Sequence, residues 1–265
     1  GDGIFSFFCL GGELSAKDDQ YKSLKNIKKK KINLTEDVYD YFKNDEYKIK
    51  IKKNTKKKFS LGTDYKINLI EKSRKLNLYK NFLLHDNNKK LPKSIGKYDF
   101  IYANSSYWVK NFEGHISDLI DKTNKKGKLI LSLKGRELSK NNFLNIIKSK
   151  FGNNAYKILD RGRRDSWKGL KDFKYYIKFL NSFKQCKIVK ITPIFDTEFL
   201  NIWDIGLRPL FKPILILASN ANHRDLYKSK KLLVETIFKI FKNYLIKYQP
   251  KKNNAVEWLI VLEKK

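Results

Sequence analysis

Gly1, Asp2 and Gly3 open the chain, and Ile4-Phe5-Ser6 follow. Two glycines one residue apart let a backbone approach a ligand closely and take torsions that a Cβ forbids. A helix starting there would aim unpaired N–H groups into the turn. Asp64 closes the next strand-like run, Phe59-Ser60-Leu61-Gly62-Thr63-Asp64. In nucleotide-binding α/β sheets that position holds ribose hydroxyls. A carboxylate suits a vicinal diol because it accepts from two donors at once. A dinucleotide fingerprint would place a third glycine where Ser6 stands. The pattern therefore turns away from a nicotinamide or flavin cofactor.

Two further strand ends are polar. Asn81-Phe82-Leu83-Leu84-His85 runs into Asp86-Asn87-Asn88, and Tyr98-Asp99-Phe100-Ile101-Tyr102-Ala103 into Asn104-Ser105-Ser106. Ligands of open α/β sheets bind at the carboxyl ends of parallel strands. Each position also has a plainer reading, Asp64 and Asp86 as strand terminators and Asn104-Ser105 as a helix cap.

The elements that must hold these ends alternate regularly from residue 59. Ile67, Leu69, Ile70, Ser73 and Leu76 lie at helical spacing, as do Ile116, Leu119 and Ile120. Lys128 to Leu133 is a buried strand, and Phe143 to Ile147 and Leu170 to Phe183 are helical. Cys186 to Ile194 and Ala255 to Leu262 are the last strands. This order implies a mostly parallel sheet with covered faces. Two stretches exceed ordinary loop length. After Gly11-Gly12 come about 45 residues, read as a lid-like insertion over 11–58 with a helix starting at Thr35. About 60 residues separate the last two strands, read as a helical cap over 197–254.

With 265 residues, 41% hydrophobic and 14% aromatic, the chain has the material for one large domain. The formal net charge is +31, nearly all from lysine spread along the whole chain. Codon bias in an AT-rich genome produces that composition. An anionic partner, nucleic acid or membrane surface, is the functional alternative. Cys9 and Cys186 make neither a disulfide framework nor a metal motif, and His85, His115 and His223 stand apart from them. No metal site is expected. No apolar run reaches the roughly 20 residues a membrane span requires. A cytoplasmic location is the expectation, and peripheral contact through Leu210 to Leu217 and the basic helix near 232–248 stays open.

The glycine turn, the acid after the next strand, the acid after the one beyond and the polar fourth end occur in one order. In that order the chain resembles the class I S-adenosylmethionine-dependent methyltransferases, in particular the group with the type 11 methyltransferase domain. The resemblance implies a single domain over 1–265, with a Rossmann-like, mostly parallel sheet and a C-terminal antiparallel strand. It also implies that the first strand, and the acid before the glycines, would lie ahead of Gly1, as in a truncated chain. A gap beside exposed apolar surface is then expected. The implied cofactor is S-adenosylmethionine. Gly1 and Gly3 would approach its methionine and ribose part, Asp64 the ribose hydroxyls, and Asp86 the adenine amino group. Asn87 would offer its backbone N–H, and Asn104 and Ser105 would lie beside the sulfonium. Tyr107 and Trp108 would border the acceptor. No base stands out; His85, Glu13 and Tyr107 are the candidates. The expected acceptor is a small molecule or glycan. An RNA or protein acceptor, suggested by Arg161, Arg163 and Arg164 near Trp167, is the alternative. A non-catalytic basic binding protein is the third reading.

Overall fold

A computed structural model describes residues 3–14, 50–159, 169–207, 232, 235–236 and 239–265. The segments Thr35–Phe42, Asp160–Trp167 and Leu210–Leu217 discussed above, and Gly1, lie outside those residues. The chain divides into two compact units. One takes 1–86 with 210–247, the other 87–209 with 248–265.

In the first unit a short helix α1 (Ile4–Cys9) follows Gly3. Strands β1 (Glu13–Leu14) and β2 (Ile51–Lys53) pair antiparallel, both within the span 11–58 expected as an insertion. Glu13 lies 3.6 Å from Lys52 and 3.4 Å from Lys53 across it. Strand β3 (Phe59–Asp64), helix α2 (Ile67–Arg74) and strand β4 (Tyr79–Leu84) form a parallel βαβ unit, with Asp64 in register with Leu84. Its core is Phe7, Leu76 and Leu78, joined by Ile4, Leu10, Leu14, Ile51 and Tyr79. Ile4, Phe7 and Leu10 thus pack with Leu76 and Leu78, which lie between α2 and β4.

The second unit holds a four-stranded mixed sheet in the order β5 (Tyr98–Ala103), β6 (Thr123–Lys134), β8 (Ala255–Lys264), β7 (Cys186–Asp196). β5 and β6 are parallel, and β8 runs antiparallel to both β6 and β7. The final strand therefore inserts between its two predecessors, as a C-terminal antiparallel strand should. Helix α3 (Phe112–Asp121) offers Phe112, Ile116, Leu119 and Ile120, spaced four, three and one apart, to one face. Alternate residues of the strands meet it: Leu129, Leu131 and Leu133 from β6, and Trp258, Ile260 and Leu262 from β8. Helix α6 (Phe173–Asn181) adds Tyr176 and Leu180. Lys264 at the end of β8 donates to the carbonyls of Ile120 and Thr123, at 2.8 and 3.0 Å. A cation there suits the negative end of α3.

Helices α4 (Arg136–Asn141) and α5 (Phe143–Leu159) follow β6, the latter interrupted at Gly152. Helix α7 (Thr197–Asn201) and a π-helical turn (Ile202–Leu207) follow β7. Residues 239–247 are helical before the chain enters β8. Among the described residues β5 pairs only with β6, and β3 only with β4. On that open-edged β5, Phe100 and Tyr102 are 70% and 53% exposed. The fold is α/β, a mixed sheet with parallel strands and helices on its connections.

Candidate functional site

Asp64 and Asp86 both lie at the carboxyl-end side of the β3–β4 pair. Asp64 is the last residue of β3, in register with Leu84, and Asp86 follows two residues beyond it. The N–H of His85 donates to the Asp64 carbonyl at 2.9 Å, which continues the ladder to the residue before Asp86. The Asp64 Oδ1 accepts from the N–H of Lys66 at 2.8 Å. That Asx turn swings the chain from strand to helix and fixes the side chain at the strand end. A carboxylate offers about four lone-pair sites, so one turn bond does not exhaust it. Asp64 is half-buried and Asp86 exposed. Between them His85 is buried, its Nε2 without a hydrogen-bond partner.

Gly3 sits elsewhere in the same unit. Its φ is 75°, and a Cβ there would meet Ser73 Oγ at 2.9 Å and Leu78 and Tyr79 at 3.3 Å. These neighbours belong to the end of α2 and the start of β4, whereas Asp64 is in register with the end of β4. A positive torsion and close packing account for glycine at position 3.

In the second unit the end of β5 leads through Asn104 and Ser105, both exposed, into a 3-10 turn, Ser106–Trp108. The Ser105 carbonyl accepts from the Trp108 N–H at 3.0 Å, while its side chain caps nothing. The capping residue of the following helix is Asn111, which accepts from the Gly114 N–H at 3.1 Å. Asn87 is half-buried, and its neighbour Asn88 accepts from the Lys110 N–H at 2.8 Å, tying the two loops. Tyr107 is buried with Leu138, Leu170, Leu200 and Val256, whereas Trp108 is 47% exposed.

The carboxyl end of β6 adds groups that the sequence reading passed over. Ser132 Oγ donates to Glu257 Oε1 of β8 at 2.6 Å, and Lys134 Nζ lies 3.8 Å from Glu257 Oε2. Lys134 Nζ also stands 5.1 Å from the centre of the Tyr107 ring. Ser132 and Glu257 sit within runs read only as buried strands. Their pairing follows from β8 entering between β6 and β7, which neither run shows alone. Of the candidate bases, Glu13 is engaged by two lysines on β1–β2, His85 lies beside Asp64, and Tyr107 lies under Lys134.

No family model and no curated protein sequence matches the chain. Solved structures do. The plantazolicin methyltransferase BpumL in complex with pentazolic desmethylPZN analog and SAH aligns at TM-score 0.42 and 11% identity, over 78% of this chain and 67% of that one. The MccD protein aligns at 0.40 and 13%, over 78% and 80%. StiE O-MT residues 961-1257 align at 0.40 and 10%, over 77% and 58%. At such identities and scores the ligands of those proteins stay with them. The fold class rests on the strand order and pairing described above.

Proposed function

We propose that the protein is an S-adenosylmethionine-dependent methyltransferase acting on a small-molecule or glycan-type acceptor. One observation carries the reading: Asp64 ends β3 and Asp86 follows the end of its parallel neighbour β4 by two residues, with the intervening His85 bonded through its N–H to the Asp64 carbonyl. The donor set suits a nucleoside. The turn-held Asp64 is placed to accept from a ribose diol, and Asp86, one strand over, from an exocyclic amine. When bound, S-adenosylmethionine supplies an electrophilic methyl group. The contribution of this chain is to hold that group in line with the acceptor and away from water, which supplies much of the acceleration in a displacement of this kind.

Thermal unfolding with S-adenosylhomocysteine tests the proposal. At a hundredfold excess over Kd the ligand adds about 2.7 kcal/mol to the folded state. The wild-type midpoint should rise accordingly, and D64N and D86N should each lose most of the rise while keeping their unliganded midpoint. An unmoved wild-type midpoint at millimolar ligand would overturn the reading.

A further inference from the structure

Glu257 is 7% exposed, and a buried carboxylate is costly unless both oxygens are paired. Only one is. Ser132 holds Oε1 at 2.6 Å, while Oε2 is buried without a hydrogen bond. Lys134 Nζ lies 3.8 Å from Oε2, beyond hydrogen-bond reach. Lys134 lies directly opposite Glu257 in the β6–β8 ladder. In that pose the ammonium sits 5.1 Å from the Tyr107 ring centre, within cation–π range. The lysine side chain is 28% exposed and that of Glu257 9%, so the lysine is the solvent-facing member of the pair.

A carboxylate with an unused acceptor and an aromatic ring beside it are the parts of an ammonium site. We propose that Glu257, Ser132 and Tyr107 form a binding site for a primary alkylammonium group, which the side chain of Lys134 fills loosely in the ligand-free protein. An untethered amine closes to the 2.7–2.9 Å of a charge-assisted bond, which Lys134 does not reach. On arrival it displaces the lysine head into solvent, which the flexible stem permits. The site stands independently of methyl transfer. Only the further step, that the bound amine belongs to the methyl acceptor, rests on the function proposed above.

The test is calorimetric titration with n-butylammonium chloride, and with n-butanol as the neutral control, at constant ionic strength. Wild type should bind the cation and not the alcohol. K134A removes the internal competitor and should bind the cation about tenfold more tightly, the worth of one charge-assisted hydrogen bond. E257Q keeps the shape, loses the charge, and should bind at least about tenfold more weakly than wild type. Equal affinity of K134A for butylammonium and butanol would overturn the site, as would an E257Q as tight as wild type. Should K134A not fold, wild type against E257Q still decides. Amine binding without any S-adenosylhomocysteine shift sinks the methyltransferase reading alone, and the converse result sinks the amine site alone.

Discussion

The Asp196 carboxylate accepts from the N–H of Phe199, the hydroxyl of Tyr248 and the N–H of Lys251, each at 3.0 Å. It thereby caps α7 and fastens the return of the chain before β8. Burial pushes its carboxyl up, but the two N–H groups, the Tyr248 hydroxyl and the Lys251 charge outweigh that and hold it below the usual carboxylate range. The depressed group stabilises the fold above its unfolded value, near 3.9, and that contribution is lost as pH falls through the lower folded value. Denaturant titrations from pH 7 downward should show D196N less stable by about 2 kcal/mol at neutral pH, with the gap closing in acid. A constant gap across that range would mean that ionisation of Asp196 contributes nothing. Tyr176 makes a second anchor: its hydroxyl donates to the Lys134 carbonyl at 3.0 Å and accepts from the Lys171 N–H at 3.2 Å. Burial above all pushes that phenol up to about 12. Y176F should cost about 1–3 kcal/mol by orphaning the part-buried Lys171 N–H and the Lys134 carbonyl, measured as a shift in denaturation midpoint.

At the scale of elements, periodicity made the second unit readable because its strands and helices each commit one face to a common core. The run Tyr98 to Ala103 is β5 to the residue, and the Ile116-Leu119-Ile120 stripe is α3. The β6 strand begins at Thr123, well before the buried run from Lys128, because Thr123 pairs with Tyr98 ahead of a bulge after which the ladder resumes at Lys128 with Phe100. The β1–β2 pair escaped notice for the opposite reason. Two and three residues carry no period, and their partners lie 40 positions apart, as in Lys53 with Glu13. The two aspartate strand ends were legible because a turn chemistry and a ligand chemistry call for the same residue there. Glu257 was not, since what gives it a role is a cross-strand partner 125 residues away. At Gly3 the positive torsion and the close neighbours Ser73, Leu78 and Tyr79 both call for glycine. G3A must hold φ near 75° and push Ser73 aside, so it should destabilise the first unit by more than about 1 kcal/mol, read from thermal unfolding. A neutral G3A would show that α1 can leave its seat freely.

At the scale of the molecule, two features set behaviour. The formal charge of +31 is spread over the chain, so polyanions should bind at low salt whatever their sequence. Fluorescence anisotropy should find unrelated RNAs equally bound at low salt and released together as salt rises; retention of one sequence would favour an RNA acceptor. Burial is distributed unevenly. Among the described residues, the main core of the second unit joins fourteen buried residues, and the first unit has the cluster of Phe7, Leu76 and Leu78, with Leu69 and Ile70 of α2 also buried. Moreover, among the described residues β3 and β4 pair only with each other, and a two-stranded pair is of marginal stability by itself. Opening free energies should therefore be ranked, with the β6 and β8 amides near the global limit and those of β3 and β4 well below it. Native-state hydrogen exchange reads that ranking strand by strand. It also joins stability to function. The His85 amide is bonded to the Asp64 carbonyl, at the strand ends proposed to hold a nucleoside. S-adenosylhomocysteine should slow exchange there and along β3–β4 while leaving β6 and β8 at their own limit. Slowing confined to β6 and β8 would place the ligand away from the two aspartates.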